Sequence, residues 1–294
     1  MKNIPLGRPN LILIVIISIA VALTTVNQSF AQDYKIKTIV LDAGHGGKDG
    51  HTQGLYSTEK DVALKTVLRL GKAIETSLPD VKVVYTRTED VFVPLYDRIG
   101  LANQVKADLF ISVHCNDMPL ERSSTITGYK KGKGGKKIPI YKSVYRKSTS
   151  THGVETFVSG MGRMNEQDAV INRENAAIFL EENYKENYEG FDPSNPENSI
   201  ILSLMKNTFR SQSLKLARMV QDQYVSKGRL NRGVQEKSLA VLARAGMPAI
   251  LTEIGFISNP EEEDYLNSES GQIEVTECIL NAIRNYKQSI EGRI

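Results

Sequence analysis

The 294-residue chain has no tryptophan, only two cysteines, and 37 basic against 34 acidic side chains, so its formal net charge is just +3. Each shortage excludes something. Cys115 and Cys278 cannot build a disulfide framework; one bridge between them is possible, and two buried free thiols are the expectation. A nearly neutral chain without tryptophan gives no support for a nucleic-acid binder. Long apolar runs are scarce as well. The prominent one, Leu11 to Leu23, reaches about 20 Å at roughly 1.5 Å per residue, short of a hydrocarbon core. Lys2 and Arg8 precede it, and Ser29-Phe30-Ala31 ends it with small residues where cleavage needs them. Residues 1–31 therefore read as a secretory signal peptide, with an uncleaved anchor as the alternative. Export to the periplasm or cell envelope is expected, with no stable membrane span after signal removal. No cysteine follows the run closely enough to suggest a lipidated N-terminus. Losing Lys2 and Arg8 takes the net charge from +3 to +1.

The whole chain is 40% hydrophobic and 24% charged, which is globular rather than disordered, and residues 32–294 remain once the signal is set aside. A chain of this length buries a full core without metal or disulfide staples, so a metal here would have a chemical task. Short apolar runs alternate with helical patterns, the order of an α/β protein: a single domain with a mostly parallel twisted sheet and helices on both faces. The first strand, Ile36 to Leu41, runs into the glycine-rich turn Asp42-Ala43-Gly44-His45-Gly46-Gly47. Thr58 and Asp61 suggest a capping box opening a helix that ends at Pro79. Further strands are expected at Lys82–Thr86, Asp108–His114, Gly153–Val158, Ser238–Leu242 and Ala249–Glu253. Helices are expected from Leu95 to Val105, from Asp168 to Tyr184, from Ser199 to Lys227, and twice more after Asn259-Pro260 and Ser270.

Two segments break this rhythm. Residues 119–150 scatter Lys130, Lys131, Lys133, Lys136, Lys137, Lys142, Arg146 and Lys147 among glycines, with no acid between Arg122 and Val154. They read as an exposed basic loop, either merely solvated or in contact with an anionic surface or polymer. Residues 161–208 form a second insertion, and its stretch from Glu166 to Glu197 carries nine acids against Arg173 and Lys185. Asn187 to Asn198 within it reads as a loop.

Three strand ends each deliver a potential ligand or acid, His45, His114 and Glu253, and open α/β sheets place their sites along that edge. Glu59 stands where the next helix begins. Two imidazoles and a carboxylate form a zinc set of the catalytic kind, since three protein ligands leave a fourth position open. The candidates lie far apart, with no HExxH helix and no CxxC knuckle, so spacing alone leaves ordinary roles open: a loop histidine, a strand-end histidine, a carboxylate at a helix N-terminus. Cys115, next to His114 in a strand, points to the opposite face and reads as a small buried hydrophobe.

Taken together, Asp42-Ala43-Gly44-His45-Gly46-Gly47-Lys48-Asp49, Glu59-Lys60-Asp61, Ser112-Val113-His114-Cys115-Asn116 and Glu253-Ile254-Gly255-Phe256-Ile257-Ser258-Asn259 resemble the motifs of the zinc-dependent N-acetylmuramoyl-L-alanine amidases of bacterial cell walls, the type 3 amidase family. The resemblance spans residues 36 to about 288. It implies one Zn2+ per chain held by His45, Glu59 and His114, with Glu253 as the catalytic glutamate and Asn116 and Asn259 in supporting positions. It also implies hydrolysis of the amide between N-acetylmuramic acid and L-alanine of peptidoglycan, in wall remodelling or daughter-cell separation. Ala43 departs from the family, where proline is common, and Gly50-His51-Thr52-Gln53 is unusual; neither change removes a ligand. His51 and His152 occupy no motif position. Some family members block their zinc with an inserted helix, and the acidic insertion invites the same idea, with Glu174, Glu181 or Glu182 as the plug and an activator protein to relieve it. Two alternatives stay open: a zinc peptidase cutting within the stem peptide, and an inactive peptidoglycan-binding relative.

Overall fold

The computed structural model describes residues 35–292 apart from 51, 119, 148–149, 161–168 and 189–195. The expected signal peptide at 1–31, His51, and the ends of both insertions lie outside the described residues. A six-stranded sheet forms the centre: β1 (Thr38–Ala43), β2 (Lys82–Tyr85), β3 (Leu109–Asn116), β6 (Val154–Ser159), β7 (Asn231–Lys237) and β8 (Ala249–Phe256), in the order β2-β1-β3-β8-β6-β7. The pairs β2–β1, β1–β3, β3–β8 and β6–β7 are parallel, while β6 runs antiparallel to β8. The sheet is thus mixed but mostly parallel, as the alternation of strands and helices anticipates.

Every residue of β3 and β8 is buried, because helices cover both faces. Strand residues alternate between two cores. Ile39, Leu41, Leu109, Ile111, Val113 and Cys115 join one, shared with α1 (Glu59–Ser77), α5 (Pro196–Ser226) and α8 (Glu269–Ile290). Val40, Phe110 and Leu251 join the other, under α2 (Leu95–Gln104) and the short α6 (Ala240–Ala243). This parity turns Cys115 away from His114, as expected, and leaves both thiols buried and free.

Several expectations need correction. The basic segment is not a loop: β4 (Leu120–Lys131) and β5 (Lys137–Lys147) pair as a separate antiparallel hairpin. Its lysines and glycines hide an alternation of Ile126, Tyr129, Ile138, Ile140 and Tyr141, all good strand formers. The strand placed at Ser238–Leu242 lies earlier, as the polar edge strand β7, and Ala240–Ala243 is a buried helical turn; a short apolar run fits either state. Helix is broken within Asp168–Tyr184: α3 (Ala169–Asn175) passes into a 3-10 turn at Ala176–Leu180, and α4 (Tyr184–Asn187) follows. α5 starts at Pro196, inside the segment expected as loop. Thr58 makes no side-chain cap; its hydroxyl donates to Asp61 at 2.5 Å, and the backbone N–H of Glu59 donates instead to the Thr52 carbonyl at 3.1 Å. α7 (Pro260–Asn267) and α8 match the two terminal helices.

The carboxyl edge is held by buried charge. Asp42, on β1, accepts from Arg98 Nη1 at 2.9 Å and from the hydroxyls of Thr86 and Ser112 at 2.6 Å each. Burial pushes its carboxyl up, but Arg98 and the two hydroxyls outweigh this and hold it below the usual carboxylate range. Its stabilising contribution is therefore complete above the unfolded pKa, about 3.9, and is lost as pH falls through the lower folded value. Asp42→Ala strands the buried Arg98 guanidinium and is expected to cost about 3–5 kcal/mol in urea unfolding at neutral pH. A loss below ~1 kcal/mol would contradict this reading of the pair.

Candidate metal centre

The turn after β1 is pinned from below. Arg87 donates to the carbonyls of Ala43 at 2.9 Å and Gly44 at 2.8 Å, and Arg98 donates to those of Ala43 at 2.7 Å and His45 at 2.6 Å. These bonds fix His45 in the left-handed region, at φ 57°, a conformation rare outside glycine. Gly44 leaves room for the neighbouring imidazole: a Cβ there would lie 2.5 Å from the His114 ring. Two buried arginines and a missing side chain thus set one histidine against the other, with ring centroids 5.0 Å apart.

Glu59, the first residue of α1, reaches between them. Its Oε1 accepts from the Cys115 backbone N–H at 2.9 Å and lies 3.0 Å from His114 Nδ1, while Oε2 lies 3.2 Å from His45 Nε2. His45 Nδ1 lies 2.9 Å from Asp49 Oδ2, a carboxylate–histidine contact that fixes the ring and turns Nε2 inward. A fourth group arrives from α3: Glu174 Oε2 is 2.9 Å from His114 Nδ1 and 3.6 Å from His45 Nε2. Ligand atoms of His45, Glu59, His114 and Glu174 all lie within 4.8 Å of one another, and all four residues are buried.

The donor set fits a cation. His45 Nε2, Glu59 Oε2, Glu174 Oε2 and Glu253 Oε2 are buried without hydrogen-bond partners, although unpaired polar atoms are rare in folded interiors. Two carboxylates converge on His114 Nδ1, which has one proton at most to offer. Burial opposes protonation of both imidazoles. Against it, Glu59 and Asp49 raise the pKa of His45 well above its usual value, and Glu174 and Glu59 push that of His114 up to about 10. The carboxyls of Glu59 and Glu174 are correspondingly held down, the latter at about 2. The site thus draws positive charge inward. With neutral imidazoles, the carboxylates of Glu59, Glu174 and Glu253 exceed the Arg173 guanidinium that pairs with two of them, and a divalent cation would offset the difference.

Glu253 sits beside this cluster, in register with His114 across β3–β8 and fully buried. Its Oε1 accepts from Arg173 Nη2 at 3.0 Å. Burial pushes its carboxyl well above the usual range, while Arg173 pulls the other way. Asn116 accepts from Arg173 Nη1 at 3.0 Å and donates to Glu155. Asn259 plays a structural part: its side chain caps α7, accepting from the N–H groups of Glu261 and Glu262 at 2.9 and 3.2 Å. Of the three plug candidates only Glu174 reaches the cluster. Glu181 is buried elsewhere, accepting from the Leu95 N–H and the Tyr188 hydroxyl at 2.8 Å each, and Glu182 is exposed. His152 is exposed and contacts the Ser150 carbonyl. Sequence reasoning missed Asp49 and Arg173, although the first lies four residues beyond His45 and the second is one of two bases amid nine acids.

The family model for N-acetylmuramoyl-L-alanine amidase, type 3, matches residues 39–285, and the chain belongs to that family. It is 30% identical over 250 residues to N-acetylmuramoyl-L-alanine amidase AmiC of Escherichia coli O6:H1, covering 84% of this chain and 52% of that one. It is also 30% identical over 241 residues to an endolysin of Bacillus phage SPP1, covering 82% of this chain and 62% of that protein. The chain therefore spans about half to three-fifths of these curated relatives. Among solved structures, the N-acetylmuramoyl-L-alanine amidase of Clostridium difficile 630 superposes with a TM-score of 0.57 at 25% identity, over 87% of this chain and 99% of that one. Among the described residues no helix is long and apolar enough to cross a membrane.

Proposed function

We propose that this chain is a zinc-dependent N-acetylmuramoyl-L-alanine amidase, exported to the cell envelope, that cuts peptidoglycan between the lactyl group of N-acetylmuramic acid and L-alanine. The convergence of buried ligand atoms from His45, Glu59 and His114, of which His45 Nε2 and Glu59 Oε2 have no hydrogen-bond partner, carries the reading, with a buried carboxylate, Glu253, at their side. Zinc, when bound by those three residues, supplies Lewis acidity that makes water a stronger acid and polarises a carbonyl. Glu253 Oε2, free of any hydrogen bond, accepts a proton from water as the water oxygen adds to the amide carbon. The same oxygen returns that proton to the alanine nitrogen as the carbon–nitrogen bond breaks. Burial favours the protonated form of Glu253, which suits a group that must take up a proton and then release it.

A resting block is part of the same proposal. Glu174 would supply a fourth ligand to a zinc held by His45, Glu59 and His114, and Arg173 pairs with the Glu253 carboxylate. The segment is tied down by Asn175, which bonds Ser238 O at 3.0 Å and Ala240 N at 2.8 Å, and by Lys48 donating to Leu180 O at 2.8 Å. An activator protein that draws α3 away would open the site. Glu174→Ala is expected to raise basal hydrolysis about tenfold or more, because a block favoured by only ~1.4 kcal/mol already holds roughly nine chains in ten closed. An unchanged rate in a zinc-replete variant would remove the plug.

Mass spectrometry of digested peptidoglycan tests the activity. Peptides beginning with L-alanine and glycan strands free of peptide are expected. Cuts within the stem peptide would favour the peptidase, and undigested polymer retained on the protein would favour an inactive binder.

A further inference from the structure

The amidase reading leaves the β4–β5 hairpin without a task. Between Ile126 and Tyr141 the hairpin exposes Ile126 (47%), Tyr129 (60%), Ile138 (43%), Ile140 (45%) and Tyr141 (60%), a concentration of large apolar side chains that the rest of the described surface does not match. Lys130, Lys131, Lys133, Lys136, Lys137 and Lys142 lie among them, all exposed. No acidic residue occurs from 123 to 153, and none of these lysines makes an ion pair among the described residues. The two strands form a sheet of their own, separate from the six-stranded one.

Register shows how the two kinds of side chain are shared out. Ile126 faces Tyr141, Tyr129 faces Pro139 and Lys131 faces Lys137, while Thr125 faces Lys142, Gly128 faces Ile140 and Lys130 faces Ile138. Because neighbouring residues of a strand point to opposite faces, Lys137, Pro139 and Tyr141 share one face of β5, and Ile138, Ile140 and Lys142 share the other. Each face therefore carries an apolar middle with lysines beside it.

We propose that this hairpin docks the enzyme on an anionic phospholipid surface. Lysine ammonium groups meet lipid phosphates while their alkyl stems and the isoleucines enter the apolar boundary, and tyrosine rings suit the headgroup level. A soluble polyanion would satisfy the lysines but give nothing to the isoleucines. The inference stands independently of the catalytic reading.

Vesicle flotation tests it, using the chain from Gln32 onward, which keeps every described residue and removes the apolar run at 11–23. The chain is expected to float with vesicles of phosphatidylcholine mixed with phosphatidylglycerol and not with phosphatidylcholine alone. The combined variant K130Q/K131Q/K137Q/K142Q should bind at least ~100-fold more weakly, at roughly fivefold per lysine. Ile126→Ser, Ile138→Ser and Ile140→Ser together should weaken binding about tenfold or more. Unchanged thermal unfolding of both variants serves as the check on folding. Equal flotation with neutral vesicles would overturn the proposal. So would full binding by the serine variant with competition by soluble polyglycerol phosphate, which would mark the hairpin as a polymer contact.

Discussion

Replacing Glu253 with alanine is expected to lower kcat by about a hundred- to ten-thousandfold while zinc stays bound at one per chain. The separation follows from geometry. Glu253 lies outside the group of four whose ligand atoms come within 4.8 Å of one another, so its loss removes a proton acceptor and not a ligand. Glu253→Gln keeps the size and much of the polarity, and should be nearly as inactive, because an amide accepts no proton at neutral pH. Its side chain is fully buried and hydrogen-bonded to Arg173, so truncation to alanine also leaves a guanidinium short of a partner. The glutamine variant therefore separates chemistry from folding. Metal-replete protein of either kind with full turnover would refute the role given to Glu253.

His114→Ala should abolish activity for a different reason, the loss of the metal itself. His114 supplies a ring nitrogen at the centre of the cluster, within 3.0 Å of both Glu59 and Glu174. Without it Glu59 keeps His45 and the Cys115 backbone N–H, and Glu174 keeps Arg173, but the ring nitrogen on which both carboxylates converge is gone. Zinc measured by mass spectrometry should fall from one per chain to a small fraction, and hydrolysis should drop to background. Addition of excess zinc is expected to restore little, because a single imidazole with the carboxylates of Glu59 and Glu174 lacks the second nitrogen ligand of the proposed set. Stoichiometric zinc in folded His114→Ala protein would show that the cation is held elsewhere.

The difference between these two variants shows what was legible in the sequence. His45, His114 and Glu253 stand at strand ends, and the strands themselves announce their positions through apolar runs bounded by glycine or polar residues. The turn at Gly44-His45-Gly46-Gly47 is readable from its three glycines, and the structure gives the reason: Gly46 and Gly47 have positive φ, and Gly44 abuts the His114 ring. Glu59 is readable only through the family motif, since a carboxylate at a helix start ordinarily serves the helix dipole.

What escaped notice depends on long-range contact. Arg87 and Arg98 hold the His45 turn from more than forty residues away, and no local pattern marks them. Arg173 sits in an acidic segment where a lone base looks like ordinary charge balance, yet it bridges Glu174, Glu253 and Asn116. Choosing among Glu174, Glu181 and Glu182 required knowing where α3 ends, and the helix breaks at Asn175, just after the acid that reaches the cluster. The basic hairpin is not legible as strands because its lysines and glycines mask the isoleucines and tyrosines that pair across it.

Zinc K-edge X-ray absorption on the purified chain tests the central claim most directly. One zinc per chain is predicted, with only nitrogen and oxygen neighbours at about 2.0–2.2 Å and the scattering pattern of two imidazoles. A sulfur neighbour at about 2.3 Å would place Cys115 in the shell, contrary to its position in the core on the opposite face of β3, and would contradict the account, as would a chain that takes up no zinc at all.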